Sequence, residues 1–390
     1  MWLFGSGLFL IAYLGINIYT GIRVFSLVKY FLPSFRAFIF WPVYLFFCYS
    51  FILFSFSRFA WTRPFRLAGM SSIPAVFYFF LALLILDSIR FLLQHFGYIP
   101  RSQIYSAAGT GIAICLAVIT MIYGVYNARS IRTVRYAVSI NKSADFSPLR
   151  IALVSDLHIG ETVGRKWVAN IVDAINKTEP DMICMAGDIF DSGFESISDL
   201  DAISAELKRL KAPLGVYACP GNHDVDRLSL RQAGGTSGIR VFLESANVVF
   251  LEDEIVMPVD GFYLIGRKDA RPIGLRGERK PAAELTADID FNRSKVLIFM
   301  DHQPVEYPNL EKAGADLILS GHTHRGQFFP GNLATRLIFK RAGATHYGYW
   351  RGETAQGIVS SGIGVWGPPI RVATGSEVVI VDIIFREGGI

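Results

Sequence analysis

The sequence predicts an α/β domain over residues 149–390, preceded by a four-helix transmembrane region over residues 1–128. Three observations predict it. Four long uncharged runs fill the first third of the chain, strand-length and helix-length patterns alternate after Leu149, and metal-binding residue types gather at the ends of the predicted strands.

The uncharged runs are residues 2–22, 37–57, 67–86 and 102–127, none of which contains Asp, Glu, Lys or Arg. Each is about as long as a helix needs to cross ~30 Å of hydrocarbon. They account for a chain that is 52% hydrophobic, above the about 45–50% of soluble proteins. The first three are dense in Phe, Leu, Ile and Trp. The fourth, Ile104 to Tyr126, is richer in Gly and Ala, which suits close helix packing. Met1 to Gly21 has no basic leading segment and Gly21-Ile22-Arg23 is a poor cleavage site, so the first run reads as a retained helix.

Formal net charge is +5, and much of the excess flanks the apolar runs, where basic residues fix orientation or touch anionic lipid. No basic, aromatic-interleaved stretch points to nucleic acid. The four cysteines, Cys48, Cys115, Cys184 and Cys219, show no paired spacing, so no disulfide framework is expected. Four crossings put Arg58, Arg63, Arg66, Arg129, Arg132, Arg135 and Lys142 on one side. Arg23, Lys29, Arg36, Arg90 and Arg101 fall on the other. Seven basic residues against five place the C-terminal domain in the cytoplasm. Asp87 and Arg90, three apart at the end of the third run, read as an interfacial pair.

Residues 129–148 read as a basic linker with a lead-in strand at Thr133–Ile140. Beyond it, Arg150–Ser155 is the first strand of the domain. A helix over Gly164–Thr178 follows, with Trp167, Val168, Ile171, Val172 and Ile175 at helical spacing. Strand Met182–Ala186, helix Ile197–Leu210 and strand Gly215–Ala218 come next. Further strands are expected at Val248–Leu251, Phe262–Ile265, Val296–Met300, Leu317–Leu319, Gly357–Ser360 and Glu377–Ile384. Such alternation argues for sheets with helices on their faces, and ligands of such sheets bind beyond the strand carboxyl ends.

The metal-type residues fall at those ends. Asp156 and His158 follow the first strand, and Gly187-Asp188, with Asp191 three further on, follows the second. Gly221-Asn222-His223-Asp224 follows the third. His302 follows Val296–Met300, and Gly321-His322-Thr323-His324 follows Leu317–Leu319. Each motif alone is weak: Asp-x-His is commonly a turn, and Asn-His-Asp serves as a helix cap. Five of the chain's seven histidines nevertheless lie in these motifs, in order and at successive strand ends.

Together these motifs resemble the calcineurin-like metallophosphoesterase family over about residues 149–385. The tail Ser361-Gly362 and Trp366-Gly367-Pro368-Pro369-Ile370-Arg371 resembles the bacterial membrane-associated YaeI-like or YkuE-like subgroup, which implies a bacterial inner-membrane protein. The subgroup commonly has Gly where this chain has Arg325. A backbone there with positive φ would make the arginine costly. The resemblance implies a four-layer αββα sandwich and a two-metal site. Asp156, His158, Asp188 and His324 would hold one ion, and Asp188, Asn222, His302 and His322 the other, with Asp188 bridging. His223 would be the general acid or transition-state stabiliser, and Asp191 its orienting partner.

The mixed carboxylate, imidazole and amide donors suit Mn²⁺, Fe or Zn²⁺, with Mn²⁺ favoured, over an all-oxygen Mg²⁺ or Ca²⁺ cage. Arg371 and Arg325 are candidate phosphate contacts, because guanidinium forks match phosphate oxygens. The function expected is hydrolysis of a phosphodiester or pyrophosphate bond in a lipid-linked or amphiphilic substrate. The alternative is a phosphomonoesterase or soluble-nucleotide phosphodiesterase with the helices as an anchor only. A degenerate sensor is disfavoured because every ligand type is present. A transporter is disfavoured because the apolar runs carry almost no polar residues, Asn17 and Asn127 being the nearest.

Overall fold

In the computed structural model the described residues are 2–54, 57, 59–142, 148–191, 194, 197, 199–225, 236–271, 273, 278–287, 294–341 and 344–386. Arg58, counted above for orientation, lies outside them. The chain divides into two compact units, Met1–Val125 with Gly367–Pro369, and Tyr126–Trp366 with Ile370–Ile390.

The first unit is helical: α1 (Trp2–Phe31), α2 (Ala37–Leu53), α3 (Arg63–His95) and most of α4 (Gln103–Arg129). Among the described residues three segments are long and apolar enough to cross a membrane, Leu10–Phe31, Arg63–His95 and Gln103–Arg129. The helix of the second run, α2, is apolar but has only 17 residues, the lower end of what spans a bilayer. The expected Asp87–Arg90 pair forms at 3.2 Å, but it belongs to a larger cluster. Arg23 of α1 also reaches Asp87 at 3.0 Å and donates to Ser106 of α4 at 2.7 Å, and the Tyr19 hydroxyl donates to Asp87. The cluster thus ties three helices together through Arg23, which reaches Asp87 of α3 and Ser106 of α4, and it pairs charges that would be costly singly in an apolar setting.

Among the described residues the second unit contains two six-stranded sheets. The strands are β1 (Arg132–Ile140), β2 (Leu149–Val154), β3 (Met182–Ala186), β4 (Val216–Cys219), β5 (Val249–Phe250), β6 (Glu254–Val259), β7 (Phe262–Gly266), β8 (Val296–Met300), β9 (Leu317–Ser320), β10 (Gly348–Arg351), β11 (Gln356–Val359) and β12 (Glu377–Phe385). One sheet runs β1-β12-β2-β3-β4-β5 and the other β10-β11-β9-β8-β7-β6. Within them β2 to β5 are mutually parallel, as are β7, β8, β9 and β11. The expected lead-in strand forms as β1 and pairs with β12 in parallel along its whole length.

Period-two alternation sends each strand's side chains to opposite faces. Leu149, Ile151 and Leu153 of β2 pack with Val296, Ile298 and Met300 of β8 in the core shared by the two sheets. Ala152 and Val154 face outward to Val168, Ile171 and Ile175 of α5 (Arg165–Asn176). α6 (Leu200–Leu207) buries Ile203 and Leu207, and α7 (Ser237–Ser245) Ile239 and Leu243, in the same cluster. On the second sheet Leu297 and Phe299 pack with Leu285 and Leu310 of α8 (Ala282–Ala287) and α9 (Tyr307–Lys312). A last helix, α10 (Gly331–Arg341), buries none of its residues.

Candidate functional site

The carboxyl ends of β2, β3, β4, β8 and β9 bring the five motifs to one place. Asp156 and His158 with His324 form one group of converging ligand atoms, and Asp188 with His302 and His322 a second. A third group is His158, Asp191 and His223. In each, the ligand atoms lie within 4.8 Å of one another. His158 Nε2 lies 3.0 Å from His324 Nε2, and His324 Nε2 lies 3.5 Å from Asp156 Oδ1. Asn222 Oδ1 lies 2.8 Å from His322 Nδ1 and 3.2 Å from His302 Nε2.

The surroundings aim these atoms. His302 Nδ1 donates to the Ala186 carbonyl at 2.8 Å, which turns Nε2 toward Asn222 and Asp188. Both Asp156 carboxylate oxygens accept from the His322 backbone N–H, at 3.0 and 3.1 Å. Asp188 Oδ1 accepts from the His223 N–H at 2.8 Å. Its Oδ2 faces His302 Nε2 at 3.1 Å and His158 Nε2 at 3.6 Å.

Burial keeps three of the imidazoles unprotonated. It pushes the pKa of His158 down to about 4 and that of His322 to about 3, and holds His324 well below the usual value. Burial also pushes the Asp156 carboxyl up to about 6, with the Asp188 charge adding. For Asp188 burial acts upward, but the facing His302, His158 and His223 hold it well below the usual carboxylate range. Burial acts downward on His302, and the Asp188 carboxylate outweighs it and raises the pKa.

Converging lone pairs of this kind repel one another unless a cation lies among them. The His158 ring nitrogen Nδ1 also makes no hydrogen bond among the described residues. The donor set, imidazole with carboxylate and one amide, therefore fits divalent metal ions. The backbone is strained to match. Asp156, His158, Asp188, His322, His324 and Arg325 all have φ between 47° and 74°, a region that costs non-glycine residues about 1–3 kcal/mol each and clusters at functional sites.

A search with protein-family models matches Calcineurin-like phosphoesterase over residues 149–326. An uncharacterized metallophosphoesterase of Aquifex aeolicus is 30% identical over 272 residues, covering 69% of this chain and 97% of that protein. The chain belongs to the calcineurin-like metallophosphoesterase family. An uncharacterized metallophosphoesterase of Helicobacter pylori is 33% identical over 242 residues, and the match spans 60% of each protein. A protein of Danio rerio named as a transmembrane protein with a metallophosphoesterase domain is 29% identical over 71% of this chain and 63% of its own length.

Within this metallophosphoesterase fold the remaining expected site residues take different places. His223 Nδ1 faces Asp191 Oδ1 at 3.4 Å. Burial acts to lower the His223 pKa, but the Asp191 hydrogen bond and the Asp188 and Asp191 charges outweigh it, so the ring is held protonated to higher pH. Arg325 does adopt positive φ, so the strain its sequence raised is present. Its guanidinium lies over the Tyr347 ring, 4.3 Å from the centroid.

Arg371 is a correction. It was expected to touch phosphate, yet it is fully buried. Its nitrogens donate to the carbonyls of Gly364, Ser361, Gly362, Gly375 and His324. Burial pushes its pKa down to about 10. The guanidinium organises the loop after β11 and backs His324, which it approaches at 3.4 Å.

Sequence reasoning missed three supports. Asp224 is buried and accepts from the N–H groups of Ile189, Phe190 and Gly221, tying the Asp188 loop to the Asn222 loop. Burial raises its carboxyl to about 7. Asp301, directly before His302, is gripped by Arg267 at 2.7 Å and Arg279 at 2.9 Å. Asn127 donates to the Arg371 and Thr374 carbonyls and accepts from Arg132, so the chain just before β1 is wired into the same C-terminal loop. Asp224 had a signal in its place in the Asn-His-Asp motif; Asp301 and Asn127 had none.

Proposed function

We propose that the chain is a membrane-anchored, dinuclear phosphoester hydrolase, built as a four-layer αββα sandwich, that cleaves a phosphodiester or pyrophosphate bond in a lipid-linked or amphiphilic substrate. The observation that carries the two-ion reading is Asp188. Its Oδ2 lies between His158 of one ligand group and His302 of the other, where a carboxylate can serve two cations about 3.5–4 Å apart. When bound, such ions supply charge against the phosphoryl oxygens and acidify water, and the mixed donor set favours Mn²⁺ over Mg²⁺ or Ca²⁺. His223 Nδ1 is held by Asp191, leaving Nε2 to give a proton to the leaving oxygen. The raised His223 pKa suits that role.

The lipid-linked reading is supported by apolar helices in excess of what anchoring needs, since one span of ~20 residues already anchors a chain. We take all four to cross, α2 included, with the catalytic unit in the cytoplasm by the basic-residue bias.

The test is metal analysis and a substrate panel on purified protein, with Asp188→Asn in parallel. The panel holds bis-p-nitrophenyl phosphate, p-nitrophenyl phosphate, nucleotide-linked lipids and phospholipids. Asp188→Asn is expected to lose both hydrolysis and metal; full activity with two ions bound would refute the bridge. A truncated chain is expected to keep activity on the soluble diester and lose it on the lipid substrate. It must begin at or before Tyr126, because Asn127 holds the C-terminal loop. Equal activity of both forms on every lipid would reduce the helices to an anchor.

A further inference from the structure

The helices of a soluble α/β unit put their apolar face inward. The helix α5 obeys this, burying Trp167, Val168, Ile171, Val172 and Ile175. The helix α10 inverts it. Its partly covered residues include Asn332, Thr335 and Phe339, whereas Leu333, Leu337 and Ile338 are 54%, 51% and 64% exposed. Leu333 and Leu337 are one turn apart, so they share a face. The same helix carries exposed Arg336, Lys340 and Arg341 and no acidic residue. Phe329, just before it, is also partly exposed, at 39%.

We infer that α10 is an interfacial helix that lies on an anionic bilayer surface and sets the height of the metal-binding loops above it. Two observations select a bilayer as the occupant. Outward apolar residues on a helix whose charged residues are all basic match acyl chains below and anionic headgroups beside them, into which Lys and Arg stems reach. The chain also carries three helices long and apolar enough to cross a membrane, so a bilayer is close wherever they insert.

The coupling to the site is direct. The turn His324–Gly326 packs on the start of α10: a Cβ on Gly326 would stand 2.3 Å from the Asn332 backbone nitrogen. The helix therefore moves as one piece with the loop that carries His322 and His324. This docking does not depend on which ions bind or which bond is cleaved.

The test uses the full-length chain with Cys115, its exposed cysteine, replaced by serine. A spin label is placed through Leu337→Cys, through Ile338→Cys, or, as a reference, through Val241→Cys on α7, a position 68% exposed. The protein is reconstituted in vesicles of equal phosphatidylglycerol and phosphatidylcholine, or of phosphatidylcholine alone. Collisions with oxygen and with a water-soluble nickel chelate on both sides give label depth. In the anionic vesicles the labels at 337 and 338 are expected about 5–10 Å inside the headgroup boundary, with the Val241 label in water. Omitting phosphatidylglycerol, or combining Arg336→Glu, Lys340→Glu and Arg341→Glu, is expected to move both toward water and leave the Val241 label unchanged. Nickel access at 337 and 338 equal to that at 241 would overturn the inference. So would shielding from both reagents, the mark of a protein partner or second copy, or a depth indifferent to lipid charge and to charge reversal.

Discussion

Replacing Arg371 separates two roles that a sequence cannot tell apart. A phosphate contact would leave the fold intact when removed and raise KM. A buried scaffold would destabilise the loop behind His324. The structure gives a size for the second outcome. Among the described residues, the carbonyls of Gly362, Gly375 and His324 each accept a further hydrogen bond, from Glu377, Ser361 and Gln327. Those of Ser361 and Gly364 accept from Arg371 alone. Arg371→Met therefore orphans two buried acceptors, at about 1–3 kcal/mol each, or about 2–6 kcal/mol together. The relief of no longer burying a cation offsets part of this. At about 2–4 °C per kcal/mol for a unit of this size, that loss corresponds to a fall in Tm of about 4–24 °C before the offset, and a measurable fall is expected. Arg371→Lys restores one or two of these bonds and is expected to fall between. The assay is thermal unfolding of the full chain in detergent, with KM for a soluble diester measured below the transition. An unchanged Tm with KM raised tenfold or more would refute the scaffold reading and return Arg371 to the substrate.

His223→Ala is expected to keep its metal and its KM and to lose roughly 10²–10⁴ in kcat, as for a missing general acid; loss of an ion would make it a ligand. Asp191→Asn is expected to show a milder loss that disappears in the His223→Ala background, because the two act as one unit. In Gly321→Ala the new Cβ would stand 2.4 Å from Ser155 Cβ and 2.5 Å from Asp156 Oδ2. It is expected to displace the Asp156 carboxylate, with stability down by about 1–3 kcal/mol and metal content reduced; wild-type metal content would show that the loop yields instead. A cysteine at exposed Val241 is expected to resist an impermeant thiol reagent in intact cells, and ready labelling would reverse the orientation.

What the sequence determined by itself was local. Three of the four uncharged runs lie in helices long and apolar enough to cross a membrane, because the requirement is length and apolarity alone. Strands β2, β3, β4, β5, β7, β8, β9, β11 and β12 were legible from short apolar runs, and helix α5 from its period. The metal-type residues were legible because each directly follows its strand, and parallel strands bring their carboxyl ends to one edge. Tertiary structure decided the rest. The edge strands β6 and β10 carry half-exposed residues and pair antiparallel with their neighbours, so no continuous apolar run announced them. That residues 132–140 join β12 rather than trail as a linker depends on a partner more than two hundred residues away. Arg371 and Arg325 look alike in sequence, and only the fold encloses one in carbonyls and lays the other on Tyr347. The left-handed backbone of Asp156, His158, Asp188, His322 and His324 is likewise invisible in residue type. Nothing in an aspartate or a histidine favours that conformation enough to announce it, and it persists because the packed loops around it leave no other.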